Sequence, residues 1–182
     1  MRLKGIINNM KTMYDSINID KIKEIKLHVE DNSKIIDNIV EGILKPYTQD
    51  LDEYVLFIRD CLKDGQNPPN DAELDDFCLN LSTYIYFAGG LCESLGIRDD
   101  ISKAVWKETY NSKRNSLDRG TIDDKNSLAE LSSQQEQLTN ICYNRAYKIC
   151  KSKVENAQEL LQSCKKVVSR RMQEQQLTNI VR

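Results

Sequence analysis

The sequence has little that bends or breaks a chain. Three prolines (Pro46, Pro68, Pro69) and seven glycines occur in 182 residues. A β-sandwich or barrel needs turn residues about every 8–12 positions, so this shortage argues against both. Histidine occurs once, as His28. Zinc sites draw on several imidazoles or clustered thiolates, and a catalytic triad needs partners for its base. His28 lies among Lys26, Leu27, Val29 and Glu30 on an amphipathic stretch and reads as an ordinary helical side chain. Long apolar runs are also missing. Nothing approaches the ~18 consecutive apolar residues of a membrane span. The stretch from Met1 to Met10 has a basic flank but no signal-length apolar run. No membrane partner is expected, and the expected location is the cytoplasm. Six cysteines are present, none in a Cys-x-x-Cys pair. Each falls at an apolar position of a helical pattern, where a thiol packs as a small hydrophobe, so free thiols are expected rather than disulfides.

Helical periodicity is what the chain has instead. Ile22, Ile25, Val29, Asn32, Ile36, Ile39 and Ile43 alternate by three and four residues, a heptad-like seam with one polar member. Such a seam packs within its own chain or against a second copy, and a lone Asn can fix register in an oligomer. The seam is a candidate protein interface of a homo-oligomer. Pro46 is expected to end this helix and start a second, carrying Leu51, Tyr54, Val55, Ile58 and Leu62. Gly65 and Asn67-Pro68-Pro69 form a breaker. Asn70 or Asp71 caps a third helix with Leu74, Phe77, Cys78, Leu81, Ile85, Ala88, Leu91, Cys92 and Leu95 on one stripe. Gly89-Gly90 inside that stripe implies a kink or a close crossing. Gly96 is expected to end the helix and Asp99-Asp100 to open a fourth, carrying Ile101, Val105, Trp106, Tyr110 and Leu117.

After Gly120, 62 residues run to Arg182 without Gly or Pro. Leu128, Leu131, Leu138, Cys142, Ala146, Ile149, Ala157, Leu161, Cys164 and Val168 recur near the helical period, with Gln135 and Lys153 interrupting the stripe. One long helix is expected, or one gently broken near Ser132–Gln137. The predicted fold class is all-α: an elongated helical bundle with a long, coiled-coil-like C-terminal helix. It divides into an N-terminal region over 1–97, with the Ile seam and acidic helices, and a basic long-helix region over 98–182.

Catalytic constellations are thin. The acid pairs Asp75-Asp76, Asp99-Asp100 and Asp123-Asp124 each fall near an expected helix start, where carboxylates cap amides and oppose the macrodipole. A non-enzymatic protein with no catalytic residues, no metal site and no cofactor is expected. Charge is more informative. Between Asp50 and Asp76 nine acids face only Arg59 and Lys63, a net of −7, whereas between Ile141 and Arg171 eight bases face two acids, a net of +6. The formal charge of −2 thus hides two opposed blocks. Arg145, Lys148, Lys151, Lys165, Lys166, Arg170 and Arg171 are candidate phosphate contacts, because cations along a helix can track a nucleic-acid backbone. Lys103, Trp106, Lys107, Tyr110, Lys113 and Arg114 interleave aromatics with cations, the pattern of a platform on which unpaired bases stack.

The run Tyr143-Asn144-Arg145-Ala146-Tyr147-Lys148, followed by Lys153 and then Ser163 through Arg171, resembles the tail of small phage proteins of the UvsY-like recombination-mediator type. The likeness lies in a Tyr-x-x-Ala step, a basic heptad stretch and a Ser-x-Arg ending, and it covers roughly residues 84–172. It implies an all-α oligomer that binds single-stranded DNA, displaces single-strand-binding protein and loads a recombinase, with Lys148, Lys151, Lys165, Lys166, Arg170 and Arg171 on the backbone. Size and charge layout also fit an anti-CRISPR inhibitor of a type II nuclease effector. Its acidic side chains, Asp71, Glu73, Asp75 and Asp76, would occupy a basic nucleic-acid channel. A helical protein-interaction scaffold is the third reading.

Overall fold

Pro46 does not end a helix. In the computed structural model, which describes residues 19–63, 68–117 and 119–180, α1 runs unbroken over Ile19–Lys63. The backbone bond that Pro46 forgoes is the one to the Gly42 carbonyl, and Gly42 is exposed. Leu44, Thr48 and Leu51 are buried around the proline, so packing holds the helix through it. Gly96 does not end a helix either. The expected third and fourth helices are one, α2 (Asp71–Ser116). Gly96 does not adopt a positive φ; the break falls at Gly120, whose φ is +119°. Asp99-Asp100 therefore lies mid-helix rather than at a start. The expected cap at Asn70 is present as a capping box: the Glu73 N–H donates to Asn70 Oδ1 (2.9 Å) and the Asn70 N–H to Glu73 Oε2 (2.8 Å). Gly65 and Asn67 of the expected breaker, like the start of the chain, lie outside the described residues.

Beyond Gly120, Thr121 and Asp124 form a second capping box that opens the short helix α3 (Ile122–Ser132). The chain then breaks at Ser133, inside the polar run where a gentle break is expected, and resumes as α4 (Gln134–Ile180). Ser133 leaves helical dihedrals (φ −111°, ψ 15°), and its buried N–H is shared between the carbonyls of Ala129 (3.1 Å) and Glu130 (3.2 Å). The 47 residues of α4 span about 70 Å at 1.5 Å per residue. No strand occurs among the described residues, and the architecture is an all-α bundle.

The chain divides into two compact units, at Asn38–Ile39. In the first, the described stretch of α1 leaves its apolar stripe uncovered: Ile22, Ile25 and Val29 are all more than half exposed. In the second, one core joins Leu51 and Ile58 of α1, Leu74 through Ala88 of α2, and Ala157 and Leu161 of α4. Tyr54 stacks on Tyr84 (4.8 Å between centroids) and Phe57 meets Phe77 edge-on (5.9 Å). The helical stripe of α2 is buried as expected at Leu74, Phe77, Leu81, Ile85, Ala88, Cys92 and Leu95, but Leu91 is exposed. Leu128 and Leu131 are exposed as well, because only Ala129 of α3 turns fully inward, and so is Leu138 near the start of α4.

All six cysteines are free, and Cys92, Cys142, Cys150 and Cys164 are buried. Burial raises these four thiols above their ordinary value, Cys150 to about 12, which keeps them protonated and inert. Lys153, the cation that interrupts the α4 stripe, is not an outward base. It pairs with Asp52 on α1, whose Oδ2 also accepts from Thr48 Oγ1 (2.8 Å). The close crossing expected at Gly89-Gly90 is absent, since nothing lies within 4 Å of a Cβ placed at either position. It occurs at Gly96 instead, where the Tyr147 ring would stand 3.0 Å from an added Cβ.

Candidate nucleic-acid interface

Three helices and a break build the site. Over its last five turns α2 carries Lys103, Lys107, Tyr110 and Arg114 at spacings of four, three and four, one line along the helix, with Trp106 one step around it. Trp106 and Tyr110 are half-buried, and the lysines and Arg114 are exposed. The Tyr110 hydroxyl donates to Asn126 Oδ1 on α3 (3.3 Å), which fixes the phenol against the short helix. Because the chain changes course at Ser133, α3 and the start of α4 do not close over this stretch of α2. The result is a groove of about 450 Å³ lined by Trp106, Lys107, Tyr110, Asn111, Glu130, Ser133, Gln134 and Gln137. That volume falls within the usual range of roughly 300–1,000 Å³ for a ligand site. Its walls offer two ring systems, three side-chain amides, the Ser133 hydroxyl, one cation (Lys107) and one carboxylate (Glu130). Lys113 is exposed in the last turn of α2, beyond the groove residues.

Gln137 is the last groove residue on α4. Gln137, Ile141, Arg145, Lys148 and Lys151 follow at spacings of four, four, three and three along one exposed side of the helix, about 21 Å end to end. Lys165, Lys166 and Arg170 form a second exposed cluster, with Glu155 and Glu159 between the two. Arg170 stands 3.8 Å from Glu174 one turn on. Arg171 is engaged internally. Its Nη1 donates to the Pro69 carbonyl (2.8 Å) and to Asp71 Oδ1 (3.1 Å), while Gln175 Nε2 donates to the other Asp71 oxygen (2.8 Å). Asp71 and Glu73 from the acidic set are likewise engaged, one in this clamp and one in the cap, while Asp75 and Asp76 are exposed on the same helix start.

Residue patterns alone did not point to one feature next to the groove. Asp99, 8% exposed, accepts from Asn140 Nδ2 (3.3 Å) and Asn144 Nδ2 (2.9 Å), and Asn140 also donates to Ser102 Oγ (3.0 Å). With no ion pair to it among the described residues, this buried carboxylate is held by amide dipoles. The signal available beforehand was the four-residue spacing of Asn140 and Asn144, which sets the two amides one turn apart along α4. Gln134, Gln137 and Asn111 of the groove carried no such signal, because polar residues next to a break look like ordinary surface.

Among the described residues, no group of three or more His, Cys, Asp or Glu side chains converges as a metal site, and no helix is long and apolar enough to cross a membrane. No family model, curated protein or solved structure matches the chain.

Proposed function

We propose that this protein is a non-enzymatic, single-stranded-DNA-binding protein of the recombination-mediator kind. Its strand enters at the Trp106–Tyr110 groove and runs along Arg145, Lys148 and Lys151. One observation carries the reading: a groove lined by Trp106, Lys107 and Tyr110 has Gln137 of α4 in its wall, and the exposed cations Arg145, Lys148 and Lys151 follow Gln137 along that side of the helix. Unpaired bases stack on rings irrespective of sequence, and cations beside them neutralise phosphates, which suits a protein that must bind whatever strand is exposed. Lys165, Lys166 and Arg170 extend the path in a longer complex. Arg171 is assigned to the Asp71 clamp instead. Assembly through the Ile22–Ile43 seam would place several such paths side by side, the arrangement a recombinase loader in a phage-infected cytoplasm would use.

Trp106 is the one tryptophan in the chain, so its fluorescence reports on the groove without labelling. Titration with oligo(dT) should quench it, and affinity should fall steeply with salt. Each neutralised phosphate contributes about −0.7 to the slope of log K against log salt for single strands. Lys148→Ala should therefore flatten that slope by nearly one contact, and Trp106→Ala should weaken binding by about 1–3 kcal/mol per stacked base. Unchanged fluorescence and no retained strand at low salt would reject the proposal.

The exposed Asp75 and Asp76, on the helix start next to the Arg171 clamp, favour a second reading, in which an acidic end occupies the nucleic-acid channel of a nuclease effector. Co-purification with such an effector, lost in Asp75→Lys/Asp76→Lys and indifferent to Trp106→Ala, would select it over the first.

A further inference from the structure

Helix α2 is apolar on two opposite sides, and only one is used. Leu74, Phe77, Leu81, Ile85, Ala88, Cys92 and Leu95 face the core. Half a turn away, Leu79, Thr83, Tyr86, Gly90, Ser94, Ile97 and Ile101 follow at spacings of three and four along the outer side. The large ones are strongly exposed: Leu79 67%, Tyr86 77%, Ile97 61%. The hydroxyls on this side are turned back onto the helix. Thr83 Oγ1 donates to the Leu79 carbonyl (3.0 Å) and Ser94 Oγ to the Gly90 carbonyl (3.3 Å), so they present carbon outward rather than unmet polar atoms. A contiguous apolar stripe left open on a helix is the mark of an interaction surface.

The order of residues on this outer side identifies its occupant. Gly90 is the midpoint of the stripe, with open space where a Cβ would be. A glycine there costs about 1 kcal/mol against alanine in a helix interior, which a close backbone approach would account for. Reversing the stripe about Gly90 pairs Leu79 with Ile101, Thr83 with Ile97 and Tyr86 with Ser94, two of the three pairs setting a large side chain against a smaller one. The nearby acids meet no acid: Asp76, Glu93 and Asp100 fall opposite Ala104, Phe87 and Asn80. A stripe that complements its own reversal is what a twofold interface requires, where one patch serves both partners. The exposed area of its large side chains is of the same order as the roughly 800 Å² each partner gives to a standard interface.

We propose that the outer side of α2 is a homodimer interface, in which α2 of a second copy packs antiparallel and crosses at Gly90. This interface is separate from the Ile22–Ile43 seam and does not depend on the DNA-binding reading. The full chain, weighed by light scattering and sedimentation at about 100 µM, far above the Kd of a standard-sized interface, should self-associate. Gly90→Leu should halve that mass with unchanged far-UV circular dichroism, and Ile101→Glu should do the same if Gly90→Leu proves poorly folded. Register is tested by mixing chains carrying Thr83→Cys with chains carrying Ile97→Cys. Mild oxidation should join the mixture well above either chain alone and above the wild-type background from its own thiols. A monomeric wild type, a mass untouched by both variants, or cross-linking of the Ile97→Cys chain to itself as readily as in the mixture would each overturn the proposal.

Discussion

Between Leu74 and Cys92, α2 is held by aliphatic and aromatic contact with α1 and α4. Between Leu95 and Tyr110 the same helix is held by a bare glycine under Tyr147, a carboxylate received by two asparagines and a phenol bonded to α3. The first half has the area that stabilises a fold. The second has little apolar area and strict geometry, so it sets how α2 and α4 are aligned. It also leaves a groove, because polar contacts hold the helices together without filling the space between them. The candidate site therefore sits where hydrophobic packing thins out.

That contrast can be broken by mutation. Leu81 is fully buried among the helices, and Leu81→Ala should lower stability by about 3 kcal/mol in urea unfolding, within the usual span of roughly 2–5 for such truncations. Asp99→Ala orphans the Asn140 and Asn144 amides and should cost about 1–3 kcal/mol. If Asp99→Ala proved the more damaging, the polar half would be carrying stability and not only alignment. A finer comparison uses two glycines of one helix. At Gly89, where space is open, alanine should stabilise by about 0.5–1 kcal/mol; at Gly96 the Tyr147 ring stands in the way, and the gain should vanish or reverse. Equal gains at both positions would mean that Tyr147 does not pack as described. The smallest effect concerns acid. Hydrogen bonds from Thr121 hold the Asp124 carboxyl below its ordinary value of 3.8. A lowered pKa gives support that is present above the unfolded value and lost as pH falls through the folded one, so the start of α3 should loosen in acid below about pH 4. Thr121→Val should move Asp124 back toward the ordinary value in an NMR titration, and an unmoved pKa would break the link.

How much of this was legible beforehand differed between the same two regions. The apolar half of α2 was readable residue by residue, since a 3.6 period in Leu, Phe, Ile and Ala has one physical meaning. The break after Gly120 and the hinge in the Ser/Gln run were legible for the same reason, as backbone chemistry. Pro46 and Gly96 misled because local propensity gives way when residues on both sides are buried. The candidate site was half legible. The Trp106–Arg114 row stood out by composition, but the groove exists only because α3 stops at Ser133 and leaves its amides beside those rings. The fates of Lys153 and Arg171 were not readable either. A cation spent on an inner carboxylate about 100 positions away looks, in sequence, like any surface base.

The Gly120 reversal sets an order of assembly. Contacts across the α2–α4 pair close ever larger loops with distance from it: 38 residues for Ser102–Asn140, 45 for Asp99–Asn144, and 104 for Asp71–Gln175. Closure entropy grows with loop length, and each contact already made shortens the next loop to be closed. The pairing should therefore start beside the groove and zip outward, with the Arg171–Asp71 clamp closing last and opening first. Pulse-labelling exchange during refolding would show this as amides near Ser102 protected before those near Asp71, and simultaneous protection would contradict it. The helix start that carries Asp75 and Asp76 would then be the last to be pinned, and the aromatic groove would already be formed while that start is still loose.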